Sequence, residues 1–420
     1  NTTSGVTTAS WNFGDGTTST LNSPSHTYAS TGTYAVTLTA TNACGSNSVT
    51  NSVTVSGSTV TGIRYVNHAA TGANNGSSWA NAFINLQDAV DAAPPGFQIW
   101  VARGVYKPTQ HFTGDTSDRY KTFYISKNIA IYGGFAGTET MLSQRNFQNN
   151  PTVLSGDLEN NDLDPEGNGI TEQTNQIKGS NSYHVLWIEN VDHTMRLDGF
   201  TITAGRADGN VFDESRNGGG IYLNGSNTGG ITNPAIANCT FTGNYADYQG
   251  GGMCLAAQFN AEASPSFVNC TFQYNSGSSG GGVAIYAEGG SSITNPEFLQ
   301  CSFLHNSGSF GGAVSNEELS NNISTAKPSF VNCLFDDNHA GFGGAVRNEK
   351  GNPSWINCSF TKNSGTFGGA IMINGGGASW TNCSFSKNDA NWGGAIRNFG
   401  DSIVLNNCII WGNTGNLENN

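Results

Sequence analysis

Two consecutive stretches of the chain, Cys358-Ser-Phe-Thr-Lys-Asn363 and Cys383-Ser-Phe-Ser-Lys-Asn388, repeat one pattern at an interval of 25 residues. The same phrase, Cys-Ser/Thr-Phe-x-x-Asn, also begins at Cys239, Cys270 and Cys301, and a Gly-Gly-Ala phrase follows it in the later repeats. A fixed period of roughly 20 to 50 residues indicates a solenoid, a propeller or another array of repeated units.

The interval between repeats and the pattern inside them favour one particular array. Apolar and polar residues alternate in short runs that end at Asn, Gly or Pro, which is typical of strands. A propeller blade needs four strands and about 40 residues or more, whereas 25 residues accommodate three short strands and three turns. We therefore predict a parallel β-helix, in which successive coils pair about 4.8 Å apart and equivalent residues stack in columns. The general rule for parallel connections makes it right-handed.

Several columns can be read directly from the repeats. The inward-facing columns are the cysteines, the residue two positions after each (Phe241 to Ile410) and the residue three positions before each (Ile236 to Leu405). The cysteine column consists of Cys239, Cys270, Cys301, Cys333, Cys358, Cys383 and Cys408. Parallel Cβ vectors in a packed column favour free buried thiols over disulfides, and Cys44 and Cys254 lie outside the column.

The residue just before each cysteine is nearly always an amide. Asparagine tolerates the left-handed backbone of a tight turn and can bond to the equivalent amide of the next coil, so this position predicts an asparagine ladder. Its members are Asn238, Asn269, Gln300, Asn332, Asn357, Asn382 and Asn407.

Composition limits the partners that the chain can have. Of the 420 residues only 11% are charged, and the net charge is −13, so nucleic acid is not an expected partner. No apolar run is long enough to insert into a membrane. Asn1 begins without a leader segment, so we expect that any signal peptide has already been removed.

Residues 1–57 have a different pattern from the rest of the chain. They contain Trp11-Asn-Phe-Gly-Asp-Gly16, Ser23-Pro-Ser-His-Thr-Tyr28 and an alternating stretch from Gly32 to Asn42. These phrases resemble the PKD domain, an immunoglobulin-like β-sandwich common in bacterial surface and secreted proteins. Because only ten residues precede Trp11, we expect a partial sandwich whose open edge is completed by a preceding segment or a neighbouring subunit.

The remainder is predicted to be a short linker followed by the solenoid. Trp79, Phe83, Leu86 and Val90 recur at helical spacing and predict an amphipathic capping helix over residues 79–90. No cap is recognisable after Asn413, and we expect both ends of the chain to have been cut from something larger. The predicted segments are a linker at 58–62 and a parallel β-helix at 63–420, divided into a cap strand and helix at 63–96, irregular coils with long loops at 97–235 and regular repeats at 236–413.

The solenoid resembles two known groups of proteins. Gly104-Val-Tyr106, Gly133-Gly-Phe135 and Leu154-Ser-Gly-Asp157 look like bacterial right-handed parallel β-helix proteins of the pectate-lyase-like superfold. The later Asn, Phe and Gly-Gly-Ala phrases are similar to repeats of polymorphic outer-membrane adhesins. The combination with PKD is similar to secreted surface proteins of Bacteroidetes-type bacteria. The resemblance implies an all-β protein: a right-handed parallel β-helix solenoid with an N-terminal capping helix, preceded by a partial immunoglobulin-like (PKD) β-sandwich, and located extracellularly or on the bacterial cell surface.

The superfold does not fix the activity, since it hosts lyases, hydrolases, adhesins and inert stalks. The charge-poor repeats favour a non-catalytic extracellular surface protein that serves adhesion, glycan contact or filament and matrix architecture. Its partners would be surface glycans or itself, through end-to-end or edge-strand assembly.

The alternative is a carbohydrate-active enzyme, a polysaccharide lyase or glycoside hydrolase, with its site over the irregular coils. The residues that would converge there are Asp115, Asp118, Asp157, His184, Arg206 and Asp213. In the regular half, the best local cluster for an enzyme is Asp336, Asp337, His339, Arg347 and Lys362, which also fits an ordinary polar face.

Three further candidate sites stand out. Asp162, Asp164 and Glu166 mimic the first half of a calcium loop and suggest a structural Ca²⁺, although position twelve is Gln173 and lacks the usual carboxylate. Asp401-Ser402-Ile403 matches a short O-glycan acceptor pattern of Bacteroidetes and makes Ser402 a candidate glycosylation site. One aromatic residue before each later Gly-Gly pair would stack on sugars if exposed, or on neighbouring coils if buried. These aromatic residues are Phe310, Phe342, Phe367 and Trp392.

Overall fold

A computed structural model divides the chain into two compact units, Asn1–Thr61 and Gly62–Asn420. The described residues are 8–21, 24, 26, 28, 32–42, 45–55, 62–111, 116–211, 213–225, 229–318 and 325–416. The predicted linker up to residue 61, Cys44 and Asp115 lie outside them. No helix among the described residues is long and apolar enough to cross a membrane.

The described part of the first unit is a single antiparallel sheet. Its strands, in order across the sheet, are Thr18–Ser19, Thr8–Asn12, Gly32–Asn42 and Gly45–Val55. The turn after Trp11 is held by Asp15, which accepts hydrogen bonds from the Thr17 amide at 3.1 Å and from His26 at 2.7 Å. The hydrogen bonds from Thr17, together with the nearby His26, lower the pKa of Asp15 to about 2.

The second unit is a parallel β-helix with four stacked sheets, which we call walls 1 to 4 in the order in which a regular coil visits them. Wall 1 consists of Ile63–Val66, Gln98–Ala102, Ala130–Phe135, Arg196–Asp198, Ala235–Ala237, Ser266–Val268, Glu297–Leu299, Ser329–Val331, Ser354–Ile356, Ala378–Thr381 and Ile403–Asn406. Wall 2 consists of Gly104–Tyr106, Thr152–Ser155, Thr201–Thr203, Thr240–Thr242, Thr271–Gln273, Ser302–Leu304, Leu334–Asp336, Ser359–Thr361, Ser384–Ser386 and Ile409–Trp411.

The other two walls complete each coil. Wall 3 consists of Arg206–Ala207, Tyr245–Gln249, Ser276–Ser279, Ser307–Phe310, His339–Phe342, Ser364–Phe367, Asp389–Trp392 and Thr414–Asn416. Wall 4 consists of Phe123–Ile125, Leu186–Glu189, Ile221–Gly225, Met253–Gln258, Val283–Glu288, Val314–Glu318, Val346–Glu349, Ile371–Ile373 and Ile396–Asn398. A separate pair joins Ile293–Thr294 to Thr325–Ala326, and short 3-10 turns lie at Asp118–Tyr120, Leu142–Gln144, Thr174–Gln176 and Glu214–Arg216.

The prediction of a parallel β-helix is confirmed, but the predicted three strands per coil are wrong, because a regular coil has four. The extra strand is wall 3, which occupies the residues between the phrase asparagine and the Gly-Gly pair. The chain leaves wall 3 through a glycine with positive φ, 63° at Gly311. A Cβ atom on the next residue, Gly312, would lie 2.3 Å from the carbonyl oxygen of Gly344 in the following coil. Glycine is therefore required at this corner by both conformation and space.

The inward columns are present as predicted. The phenylalanines of wall 2 stack face to face, with ring centroids 4.5 Å apart for Phe241 and Phe272 and 4.7 Å apart for Phe303 and Phe335. The aromatic column of wall 1 stacks in the same way and ends in the pair Trp355 and Trp380, 4.9 Å apart. The two columns contact each other edge to face, so the core consists of two interlocking stacks.

The column of cysteines consists of free thiols in the structure, and all but Cys408 are buried. Each thiol lies close to backbone carbonyl oxygens; the Sγ of Cys358, for example, is 3.4 Å from the oxygens of Ile356 and Phe330. Burial raises the pKa of Cys239 to about 12, and contact with the Cys301 thiol raises that of Cys333 to about 12.

The predicted asparagine ladder lies at the exposed corner between walls 1 and 2, and we call it the outer ladder. Asn269, Asn332, Asn357 and Asn382 all have positive φ, between 53° and 56°. The Nδ2 of Asn382 donates to the Oδ1 of Asn357 at 3.2 Å, and the Nδ2 of Asn357 donates to Asn332 at 3.1 Å. Towards the first coils the ladder ends at the carboxylate of Asp198, which also binds Arg145 at 2.7 Å.

A second ladder, which the sequence analysis did not identify as one, lies at the corner between walls 2 and 3. It is made of the last residue of each phrase, and we call it the inner ladder: Asn244, Asn275, Asn306, Asn338, Asn363, Asn388 and Asn413. The first six are fully buried. The Oδ1 of Asn306 accepts from the amide and the Nδ2 of Asn275, both at 3.1 Å. Its own Nδ2 donates to the Oδ1 of Asn338 at 3.0 Å and to the carbonyl of Phe272 at 2.8 Å.

The capping helix is shorter than the sequence predicts. It spans Leu86–Ala92 instead of 79–90. Phe83 is not helical, because its backbone pairs with wall 1: its amide donates to the carbonyl of Tyr65 at 2.9 Å. Leu86, Ala89 and Val90 are nevertheless buried in the core cluster that includes the first strand of wall 1. The helix therefore covers the apolar end of the first coil.

The inner ladder predicts a large difference between two asparagine substitutions. Asn306→Leu should remove the acceptor of the Asn275 amide and the donor to the Phe272 carbonyl in the core, while Asn338 keeps its bond from the backbone amide of residue 306. We expect a loss of roughly 3–5 kcal/mol of local stability. Asn357→Ala, in the exposed outer ladder, is the control and should cost about 1 kcal/mol. Hydrogen exchange of amides in the adjacent coils measures both, since a solenoid need not unfold as one unit. Equal losses of local stability in the two variants would mean that the inner ladder stabilises the coils no more than the outer ladder does.

The thiol column makes a second prediction. Thiolate is the form that reacts with iodoacetamide, so burial and a raised pKa should protect Cys239, Cys333 and Cys358 in the native protein at pH 8. We expect the half-exposed Cys408 to be modified first, as measured by mass spectrometry of the peptides over time. Modification of Cys333 as fast as of Cys408 would show that the middle coils open readily.

Candidate functional site

One coil of wall 3 is longer than the regular coils that follow it. Five residues separate Asn244 from Gly250, whereas four separate Asn275 from Gly280. The pairing of Tyr245–Gln249 with Ser276–Ser279 accordingly shifts register between Ala246 and Gln249, which is a β-bulge. Bulges change the direction of side chains and often lie next to binding sites. Here Asp247 is exposed, and Tyr248 is 49% exposed.

Two pockets flank this bulge. Pocket I has a volume of about 570 Å³, and pocket II has a volume of about 400 Å³. Pocket I is lined by Thr174, Asn175, Ile177, Arg206, Asp208, Tyr245, Asp247 and Ser276. Pocket II is lined by Val211, Asp213, Glu214, Arg216, Asn217 and Tyr248. We call the two pockets and the bulge together the bulge site.

Ion pairs fix the charged side chains of the bulge site. Arg216 donates from Nε and Nη2 to the Oδ2 of Asp247, at 3.0 and 2.5 Å. The Tyr245 hydroxyl lies 3.3 Å from the other oxygen of that carboxylate. In pocket I the Nε of Arg206 lies 2.8 Å from the Oδ2 of Asp208. The carboxylates are therefore oriented, and Asp247 keeps accessible oxygen surface towards solvent.

Arg119 connects the surrounding loops to the bulge site. It binds Asp208, and it donates to the carbonyl oxygens of Asn181 at 2.8 Å and of Arg206 at 2.7 Å. Its guanidinium also lies 4.1 Å from the ring centroid of Tyr183. One side chain thus joins the loop near residue 119, the loop near residue 182 and the first strand of wall 3.

A smaller cluster of polar residues lies behind pocket II. Asp213 accepts hydrogen bonds from the Ser215 amide and from the Tyr120 hydroxyl, both at 2.9 Å. Burial raises the pKa of Asp213, but these hydrogen bonds outweigh it and the pKa lies below its ordinary value. His184 is fully buried, with its Nδ1 3.1 Å from the carbonyl oxygen of Gly218, and burial lowers its pKa to about 4.

The residues of the enzyme alternative do not converge on one point. Arg206 lines pocket I and Asp213 lines pocket II. Asp157 instead pairs with Lys107 at 3.2 Å, and Asp118 pairs with Lys121 at 2.8 Å. Asp115 lies outside the described residues. The structure therefore places Arg206 and Asp213 at the bulge site and His184 behind it, whereas Asp118 and Asp157 form ion pairs elsewhere.

The second cluster considered from sequence is a set of pairs between coils. Asp337 pairs with His305 at 3.0 Å, Asp336 lies 3.5 Å from Lys362, and His339 bonds to Ser364 at 2.9 Å. Arg347 lies on wall 4 instead, where it pairs with Glu317 at 3.4 Å. These contacts fit a polar face whose charges neutralise one another along the coils.

The acidic loop does not assemble as a calcium site. Both oxygens of Asp162 accept bonds from the protein, from the Lys178 amide at 2.6 Å and from Asn181 at 2.9 Å. Asp164 accepts bonds from the amides of Asn168 and Gly169 at 3.1 and 2.7 Å, while Glu166 is exposed. Within the described ranges, no group of three or more His, Cys, Asp or Glu side chains is arranged to hold a metal ion.

The aromatic row of wall 3 is half-buried, and its ring faces are occupied. Phe310, Phe342, Phe367 and Trp392 stack in sequence with centroids 5.2 to 5.3 Å apart. The guanidinium of Arg347 lies 4.7 Å from the Phe310 centroid. Sugars stack on ring faces, so the geometry favours the interpretation in which these rings pack the coils together. Ser402 is exposed just before a strand of wall 1, and its glycosylation stays a prediction.

The sequence analysis missed most of the bulge site, including Asp208, Arg216, Tyr245, Asp247 and Tyr248. A signal was present, because the interval between the phrase asparagine and the glycine pair is one residue longer in this repeat than in the five that follow. An insertion in an otherwise fixed interval indicates a bulge.

The acidic loop leads to a prediction on metal removal. Since Asp162 and Asp164 already bind donors of the protein, we expect EDTA to leave the melting temperature of the chain unchanged. A decrease that added Ca²⁺ reverses in the wild type, but not in an Asp162→Asn variant, would show instead that this loop binds the cation.

Comparison with known proteins supports the division of the chain. The family model of the PKD domain matches residues 1–57. No curated protein matches the chain. Among solved structures, the crystal structure of pectate lyase Pel9A is similar, with 14% sequence identity, a TM-score of 0.41, and coverage of 82% of this chain and 80% of that chain. The fold assignment rests on the strand pairing described above, and the chain combines a PKD domain at residues 1–57 with a parallel β-helix.

Proposed function

We propose that the chain is a non-catalytic extracellular surface protein whose β-helix binds glycans at the bulge site. The observation that carries this proposal is the β-bulge that turns Asp247 and Tyr248 outward between two pockets. The PKD domain supports an extracellular location, since domains of this kind are common in surface and secreted proteins.

The chemistry of the bulge site suits sugars. A pyranose ring has an apolar face and a rim of hydroxyl groups, so it needs a flat aromatic surface beside oriented hydrogen-bonding groups. The ring of Tyr248 is 49% exposed; the guanidinium of Arg216 lies over one face, 5.9 Å from the ring centroid, and a sugar would stack on the other face. Asp247 is held by Arg216, and charged partners of this kind make strong, directional hydrogen bonds to hydroxyl groups.

The same arrangement argues against catalysis at this site. Hydrolysis of a glycoside normally uses one carboxylic acid that donates a proton and one carboxylate. Asp208 and Asp247 are each bound to an arginine, which orients their oxygens to accept hydrogen bonds and leaves neither free to serve as the acid. A lyase needs a base close to the substrate, and both arginines that line the pockets are already bound to carboxylates.

One observation favours the enzyme alternative and deserves its own test. Asp213 lines pocket II and accepts a hydrogen bond from Tyr120, and buried His184 lies near it. Incubation of the protein with polysaccharides, followed by chromatography of the products, separates the two functions. If new products form with the wild type but not with Asp213→Ala, the protein is an enzyme.

Binding is best tested with matched aromatic variants. We expect Tyr248→Ala to weaken binding to a glycan retained by the wild type on a glycan array by at least about tenfold, since a stacking surface is lost. Phe399→Ala is the control, because Phe399 is 50% exposed against 49% for Tyr248 but lies far along the solenoid, just after the last strand of wall 4.

The array result decides between the bulge site and other surfaces. Equal binding by both variants would move the glycan site elsewhere on the solenoid. Absence of any bound glycan for the wild type would contradict the proposal and return the chain to a purely architectural role, in which its self-assembly would become the first property to measure.

A further inference from the structure

The charges of the bulge site are unbalanced in a way that restricts its ligand. Pocket I is lined by one cation, Arg206, and two carboxylates, Asp208 and Asp247. Pocket II is likewise lined by one cation, Arg216, and two carboxylates, Asp213 and Glu214. Counted together with Arg119, which also binds Asp208, the bulge site has three arginines and four carboxylates, a net formal charge of −1.

Both arginines are already bound to acceptors of the protein. The Nε and Nη2 of Arg216 are both directed to Asp247. Arg206 uses its Nε for Asp208 and its Nη1 for the carbonyl oxygen of Gly179 at 3.3 Å. A ligand carboxylate could reach only the remaining N–H groups of these arginines, and it would be repelled by the carboxylates that already bind them.

The acceptors, by contrast, have capacity left. A carboxylate can accept about four hydrogen bonds. The Oδ1 of Asp247 lies near one weak donor, the Tyr245 hydroxyl at 3.3 Å, and 44% of the Asp247 side chain is exposed. The site therefore offers acceptors and an aromatic ring, which match donors that carry no negative charge.

From this balance we infer that the bulge site selects glycans made of neutral sugars and rejects polymers of uronic acids. The inference rests on the proposed function and adds the substrate class. The hydroxyl groups of a neutral sugar donate to Asp247 and its neighbours, the apolar face of the ring packs against Tyr248, and no charge needs compensation. A uronate at the same place would add a third negative charge to a lining that already has two.

The first test compares an oligosaccharide of galactose with an oligosaccharide of galacturonic acid. The two sugars differ at one position, which carries a hydroxymethyl group in galactose and a carboxylate in galacturonic acid. Isothermal titration calorimetry at low and at high salt measures both. We expect the neutral compound to bind at least about tenfold more tightly at low salt, and the difference to shrink at high salt as repulsion is screened.

The second test uses a pair of variants with the same change in charge. Asp247→Asn removes one negative charge and releases the guanidinium of Arg216. Glu214→Gln removes one negative charge from the same pocket region but leaves the pair between Arg216 and Asp247 in place. We expect binding of the galacturonic acid compound to increase by about tenfold or more in Asp247→Asn, and by clearly less in Glu214→Gln.

The outcomes separate this inference from the function on which it rests. Tighter binding of the uronic acid compound by the wild type, with the loss of that binding in Tyr248→Ala, would overturn the neutral-sugar inference and keep glycan binding at the site. No binding of either compound, or of any glycan on the array, would overturn the proposed function itself. Unchanged melting temperatures verify that both variants fold.

Discussion

The fold depends on a requirement that buried amide groups be bonded. An asparagine side chain has two N–H donors and an oxygen acceptor. Burying any of these groups without a hydrogen-bond partner costs free energy. In the inner ladder, the side chain of each fully buried asparagine bonds to the coils before and after it. A coil can therefore be added only in register with its neighbours, and the stacked aromatic columns follow from that register.

The same constraint explains where variation is tolerated. The inner ladder fixes the chain at the end of wall 2, and the glycine corner fixes it at the start of wall 4, where a Cβ atom would collide with the following coil. Between these two points the backbone crosses wall 3, whose side chains partly face solvent. One extra residue at this place produced the bulge with Asp247 and Tyr248 without disturbing the columns on either side. The bulge site thus lies at a position where the solenoid can change without losing its core.

Much of the architecture follows from the sequence because the repeats sample one environment many times. The columns that begin at Cys239, Phe241 and Ile236 each have seven members in the sequence. Their inward direction could therefore be inferred from the residue types alone. Wall 3 was missed because Ser307 to Phe310 is short and lacks the alternation of a half-buried strand. The helix was predicted too long because the spacing of Trp79 and Phe83 fits a helix, whereas the backbone of Phe83 pairs with a strand. Such long-range pairing leaves no periodic trace in the sequence.

The site was harder to predict than the fold. Arg206 and Asp213 were named as candidates, but their neighbours Arg216 and Asp247 are 31 residues apart and meet only because the coils stack. Contacts of this kind depend on the register between neighbouring coils. That register can be predicted from sequence for the regular repeats but poorly for the irregular coils. The acidic loop illustrates a related limit, since the spacing of Asp162 and Asp164 suggests a cation but does not show the backbone amides that bind both carboxylates in the structure.

The two asparagine ladders also run in opposite senses. In the inner ladder the Nδ2 of each residue points to the next coil, as from Asn306 to Asn338, whereas in the outer ladder it points to the previous coil, as from Asn357 to Asn332. Each ladder is a file of aligned amide dipoles, and the two files are antiparallel, so their moments along the solenoid axis oppose each other. The positive end of the outer file meets the Asp198 carboxylate. Each added regular coil therefore contributes one amide to each file, and these two side-chain dipoles offset each other along the axis.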